Sequence, residues 1–251
     1  MRQTCPMPTR LTSVVIDSAD PPTLARWWAS ALGWEVAHES GDESDVEPPS
    51  GEPGITLTFV PVQDKRVLKN RIHLDLRSNT LAEQDDLIQR LMAGGAVEAD
   101  IGQGDVPWAV LADPEGNEFC VLEPRPEYAK TGSLAAIVVD AVDPELMARF
   151  WAAAAGWNLH EHEGLYDLVP PGGAGPWLEF VPTKEPHTVK NRLHLDVAPF
   201  SGDDQRAEVL RLMGVGALRA EVGQSEAAPG AVTWVVLTDP EENEFCVLSP
   251  R

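Results

Sequence analysis

The stretch Asp113–Pro114–Glu115–Gly116–Asn117–Glu118–Phe119–Cys120–Val121–Leu122 returns as Asp239–Pro240–Glu241–Glu242–Asn243–Glu244–Phe245–Cys246–Val247–Leu248. A second pair accompanies it: Lys69–Asn70–Arg71–Ile72–His73–Leu74–Asp75 recurs as Lys190–Asn191–Arg192–Leu193–His194–Leu195–Asp196. Self-similarity at a fixed offset is the signature of an internal duplication. The 251 residues therefore divide into two repeats, each long enough to bury an ordinary core. The expected boundaries are residues 1–124 and 133–251, joined by a linker at 125–132. Polar residues kept by both copies are either functional or required by the shared fold.

Working outward, Leu11–Ile16 is short, apolar and β-branched and predicts a strand. Asp20 or Thr23 can cap the helix that follows, with proline in its first turn. Leu24, Trp27, Trp28 and Leu32 form one apolar helical face, and Gly33 ends it. Strands are expected at Trp34–Val36 and Ile55–Val60, with a third element somewhere in the acidic stretch between them. The pattern restarts at residues 71–76, where apolar and polar residues alternate strictly. It continues through a helix from Leu81 to Met92 and strands at 97–101, 108–111 and 119–122. Asp113–Gly116 reads as a tight turn. The second copy runs the same way from Ser133, so each repeat holds two β-α-β-β-β modules and the fold class is α+β.

Hydrophobic residues make up 43% of the chain and charged residues 24%, an ordinary globular composition. No apolar run is long enough to span a membrane, and residues 1–10 lack the apolar core of a secretory signal. Of three cysteines, Cys120 and Cys246 are repeat equivalents and Cys5 precedes the first strand. No disulfide framework is expected, and a reducing cytoplasm fits. The net charge of -21 argues against nucleic acid, whose phosphates require a basic face. It serves solubility or attracts a cationic ligand. The cluster Asp42, Glu43, Asp45, Glu47 and Glu52 falls in a stretch that reads as a loop, which favours solubility.

Paired modules of this kind, with Arg26–Trp27–Trp28, Gly33–Trp34, Lys69–Asp75 and Asp113–Leu122, resemble the vicinal oxygen chelate superfamily, and most closely its glyoxalase-like branch. That superfamily includes glyoxalase I, extradiol dioxygenases and bleomycin-resistance proteins. The resemblance covers residues 11–122 and 134–248. It implies modules curled around a cavity, with modules pairing either within a repeat or between repeats. It also implies a divalent metal held by His and Glu from four strands. Carried onto this chain, the first ligand position falls on Ser13 and Ala136. The second falls near Thr56 and Trp177, or two residues on at Thr58 and Glu179. The third is His73 and His194, and the fourth Cys120 and Cys246. Glu118 and Glu244 lie two residues before the cysteines and are weaker metal candidates, as is Glu179. With one good ligand per repeat, no cofactor is expected and a standard metal centre is disfavoured, because catalytic sites need about three protein ligands.

Arg71, His73 and Asp75 share a strand face, as do Arg192, His194 and Asp196. They form either a ligand pocket with a titratable imidazole or a buried polar network. Trp108, Trp177 and Trp234 are candidates for an aromatic wall. Cys120 and Cys246 read as buried small hydrophobes. His160 and His162 share a strand face, but with Ala37–His38–Glu39 opposite them in the first repeat they read as surface. The Lys-Asn pairs read as strand entries. The expected function is binding of a small organic molecule, with cations among the candidate ligands, by a monomer or homodimer that contacts neither nucleic acid nor membrane. The rival is a metal-dependent lyase, isomerase or dioxygenase.

Overall fold

The computed structural model describes residues 9–64, 66–162, 164–220 and 234–251; Cys5 lies outside them. Each repeat contributes two β-α-β-β-β modules. The first comprises β1 (Arg10–Ser18), α1 (Pro21–Leu32), β2 (Glu35–Glu39), β3 (Ser44–Glu47) and β4 (Thr56–Pro61). The second comprises β5 (Ile72–Leu76), α2 (Leu81–Ala93), β6 (Val97–Glu98), β7 (Ala109–Ala112) and β8 (Glu118–Val121). The third comprises β9 (Leu134–Ala141), α3 (Pro144–Ala155), β10 (Asn158–His162), β11 (Leu165–Val169) and β12 (Trp177–Pro182). The fourth comprises β13 (Leu193–Ala198), α4 (Gln205–Gly214), β14 (Leu218–Arg219), β15 (Val235–Thr238) and β16 (Glu244–Val247).

The sheets do not follow the repeats. One eight-stranded sheet runs β14-β15-β16-β13-β1-β4-β3-β2 and the other β10-β11-β12-β9-β5-β8-β7-β6. The first module therefore pairs with the fourth, through antiparallel β1 and β13, and the second with the third, through antiparallel β5 and β9. Of the two pairings the sequence allowed, the chain uses exchange between repeats. A single hydrophobic cluster spans both sheets. The edge-on contacts of Trp27 and Trp28 on α1 with Phe119 on β8, at 5.7 and 5.2 Å, tie the first module to the opposite sheet.

Local signals explain the helices. Asp20 rather than Thr23 caps α1, accepting from Thr23 N, and Gly33 closes it at φ 71°. Asp143 and Gly156 do the same for α3. The repeated Asp-Pro-Glu turn is a structural hub. Buried Asp113 accepts from Trp28 Nε1 at 3.0 Å and from Asn117 Nδ2 at 2.9 Å, while Glu115 accepts from Ala19 N and Asp20 N at the start of α1. Asp239 and Glu241 repeat these contacts with Trp151, Asn243, Val142 and Asp143. Glu242 keeps the left-handed backbone of Gly116, at φ 68° against 85°. Left-handed backbone costs a side chain about 1–2 kcal/mol, partly offset by the extra entropy glycine loses on folding. Glu242→Gly should therefore raise stability by roughly 0.5–1 kcal/mol, measurable as a shift in urea midpoint.

Two expectations need correction. The strand expected at 97–101 is only Val97–Glu98, because Gly102 and Gly104 adopt positive φ just beyond it. The segment expected to be a plain linker contains a 3-10 turn, Pro126–Tyr128. It packs the Tyr128 ring against Cys120, Val110 and Leu122 on the concave face of the second sheet.

Candidate functional site

Residues directly opposite each other on paired strands share a sheet face. In the second sheet, one rung joins His160, Asp167, Glu179, Val138 and His73 across five strands. The matching rung of the first sheet joins His38, Asp45, Thr58, Val15 and His194. The adjacent rungs are Trp177, Ala136, Asp75, Cys120 and Val110 in one sheet, and Thr56, Ser13, Asp196, Cys246 and Val236 in the other.

These rungs revise several sequence readings. His160 and His38 are equivalent after all, each facing an aspartate. A β-bulge between Val36 and His38 adds one residue to β2 that β10 lacks, and this hid the correspondence when counted from the helix end. Asp45 is on a strand, where it accepts from Thr58 Oγ1 at 2.7 Å, so the acidic stretch is partly β-structure. Glu179 shares a sheet with His73, not with the His194 of its own repeat.

A cavity of about 370 Å³ opens on the second sheet, lined by Arg125, Glu127, Tyr128, His160, His162, Leu165, Asp167, Trp177, Glu179, Phe180 and Val181. Tyr128 and Trp177 meet edge-on at 5.2 Å, and Tyr128 donates to Glu179 at 2.5 Å. His162 Nδ1 lies 3.2 Å from Asp167. Burial pushes the Glu179 carboxyl up to about 8, against the opposing effect of the Tyr128 hydrogen bond, and raises Asp167 as well. Trp108 lies beside this cavity under the Arg125 guanidinium, 5.4 Å from the ring. Trp234 is partly exposed and precedes β15.

Deeper on the same face, His73, Asp75 and Cys120 bring a nitrogen, an oxygen and a sulfur within 4.8 Å of one another, and His194, Asp196 and Cys246 do so in the first sheet. Burial lowers both histidines, His194 to about 4, and raises both aspartates, Asp196 to about 7. Burial, helped by the neighbouring aspartate, also raises both thiols.

The remaining candidates hold the frame. Glu118 pairs with Arg66 and accepts from Asn70 N. Glu244 accepts from Asn191 N and lies 3.6 Å from His187. Neither joins the convergent triads. Arg71 is turned away from its strand mates: it donates to the carbonyls of Asp140 and Glu185 and pairs with Glu241. Arg192 repeats this with Asp17 O, Asp64 O and Glu115. Lys69 pairs with Asp140 and Lys190 with Asp17. Arg66, Lys69, Arg71, Lys190 and Arg192 line a cavity of about 520 Å³ between the segments 64–71 and 183–192, and each of these cations is engaged by one of these pairs.

A glyoxalase-like domain model matches residues 13–122 and again 136–248. The chain belongs to the glyoxalase-like domain family. Among solved structures, a putative dioxygenase from Bacillus subtilis aligns over 98% of this chain and 86% of its own, at 14% identity and a TM-score of 0.65. Glyoxalase I from Zea mays aligns over 96% and 92%, also at 14% identity and a TM-score of 0.65. At such identity the likeness concerns the fold. No curated protein matches.

The vicinal oxygen chelate fold implies a metal, and the family's four positions do not fit one here. With the modules exchanged, the first sheet offers Ser13, Thr56 or Thr58, His194 and Cys246. The second offers Ala136, Trp177 or Glu179, His73 and Cys120. Alanine cannot ligate, serine is a poor donor at neutral pH, and Glu179 is engaged by Tyr128.

Proposed function

We propose that this glyoxalase-like protein binds a small organic cation in the cavity of its second sheet. The observation that carries the reading is the juxtaposition of Asp167 and Glu179, cross-strand neighbours on one rung, with the aromatic faces of Tyr128 and Trp177 beside them. Aromatic faces attract a cation by about 0.5–2 kcal/mol, and a desolvated carboxylate fixes its charged end. The first sheet carries Thr58 in place of Glu179, so the two faces are not equivalent. The reading rests on a binding pocket, without catalysis by the family's four-ligand centre.

The test is titration calorimetry with a series of aromatic-bodied primary amines and their neutral isosteres, followed in parallel by tryptophan fluorescence. The amines should bind and the isosteres should not. Glu179→Gln should weaken the amines by about tenfold or more, the scale of one charge-assisted contact. A cation favours the ionised carboxylate, so wild-type affinity should rise as pH approaches about 8. The variant should lack that rise. Equal binding of neutral isosteres, or no binding of any amine, would remove the proposal.

The same carboxyl leaves a mark on stability. Its folded value lies above the ordinary 4.5, so the folded state holds a proton that the unfolded state has lost. Its contribution is thus present below about 4.5 and is lost as pH rises to about 8. Glu179→Gln should flatten that fall in denaturant midpoints measured across the interval.

A further inference from the structure

We propose that the second-sheet cavity takes a zwitterion with an aromatic body: an α-amino acid or another ligand whose ammonium and carboxylate sit on one carbon. The inference rests on the amine reading of this cavity and adds an anionic end to its ligand, held by Arg125.

Three observations carry it. The first is that the cavity is not purely acidic. Arg125 lines it together with Asp167 and Glu179, and its side chain is 25% exposed. The Trp108 ring lies 5.4 Å below its guanidinium, and its Nε donates to Glu123 Oε1 at 2.7 Å. That pair takes the Nε position and not the fork of the two terminal nitrogens, the geometry that receives a carboxylate. The second is proximity. The Tyr128 hydroxyl donates to Glu179 and stands beside the Arg125 guanidinium. Burial raises both Tyr128 and Glu179, and the Arg125 charge opposes both rises. Two opposite protein charges thus flank one hydroxyl, which matches two opposite ligand charges on one carbon. The third is recurrence. Glu123–Pro124–Arg125 follows β8, and Ser249–Pro250–Arg251 follows β16. Burial raises Asp196 on the first sheet, and the Arg251 charge opposes that rise. An arginine therefore follows the last strand of each repeat and acts on a carboxylate of the concave face.

A simple amine at Glu179 would bring its charge toward the Arg125 guanidinium, and like charges repel most where water is excluded. A carboxylate on the same carbon turns that repulsion into a pair. Glu127 also lines the cavity, but it is exposed, where salt and water screen it.

The experiment is titration calorimetry of the intact chain with phenylalanine, phenethylamine, N-acetylphenylalanine and 2-phenylethanol. These carry both charges, the cation alone, the anion alone and neither. Phenylalanine should bind about tenfold or more tighter than either singly charged probe, the scale of one charge-assisted contact. Arg125→Gln should weaken phenylalanine by about tenfold or more and strengthen phenethylamine, because a like charge has gone. A role confined to folding would weaken both. Phenethylamine binding wild type as tightly as phenylalanine overturns the zwitterion and leaves the amine reading standing. N-acetylphenylalanine binding as tightly as phenylalanine overturns it too, as does parallel weakening of both probes by Arg125→Gln. 2-Phenylethanol binding as tightly as phenethylamine removes the amine reading itself, and this inference with it.

Discussion

Phe119→Ala should destabilise the whole chain by about 3–5 kcal/mol, the usual cost of truncating a fully buried aromatic residue. Phe119 is 0% exposed and packs edge-on against both Trp27 and Trp28. It stands on β8 of the second sheet, whereas the two tryptophans belong to α1, whose module builds the first. The cavity left behind would therefore lie at the joint between the sheets. Because one cluster of buried residues spans both, the loss should appear as a shift of one cooperative transition. In a chain of this size that is roughly 10 °C in melting temperature. Calorimetry decides it. Two separated transitions, with only one displaced, would mean that the sheets fold independently and that the shared core does not couple them.

Arg71→Ala should cost about 3 kcal/mol, the penalty for stranding one partner of a buried ion pair. The Arg71 and Glu241 side chains are only 11% and 10% exposed, at 2.9 Å. Arg71 immediately precedes β5 in the first repeat, and Glu241 lies in the turn before β16 in the second. Loss of the guanidinium leaves the carboxylate with two backbone donors, Val142 N and Asp143 N. It also leaves the carbonyls of Asp140 and Glu185 without theirs. Arg26→Ala provides the contrast. Its pair with Glu39 is half exposed and should matter by less than about 1 kcal/mol. Urea denaturation of both variants measures the difference, and equal small losses would show that the Arg71 clamp is dispensable.

The two repeated arginines show how far sequence reading carries and where it stops. Alternation in residues 71–76 places Arg71, His73 and Asp75 on one face, and His73 and Asp75 do converge with Cys120. Arg71 does not, because its long side chain bends along the strand end toward Asp140 and Glu241. A period-2 pattern fixes which side a Cβ leaves the sheet, but not where four further bonds take a guanidinium. The Lys-Asn pairs were legible as strand entries, since Asn70 and Asn191 donate to the Asn117 and Asn243 side chains. Tyr128 was not legible. It sits in a Pro-containing connection whose composition resembles any linker, and only the concave surface above which that connection passes makes its ring part of a site.

By itself the sequence determined the duplication, the four β-α-β-β-β modules, the glycine that ends α1 and the family. These depend on local periodicity, capping chemistry and motifs within a few dozen residues. Only the tertiary structure decided that modules pair across the repeats. Strands of near-identical sequence present the same apolar edges, so β5 and β13 carry no local preference for β1 over β9. That choice put Glu179 with His73 instead of His194, aligned the two His-Asp rungs, and set Asp75 beside Ala136. The composition of each concave face is therefore a property of chain connectivity and packing, and no single repeat encodes it.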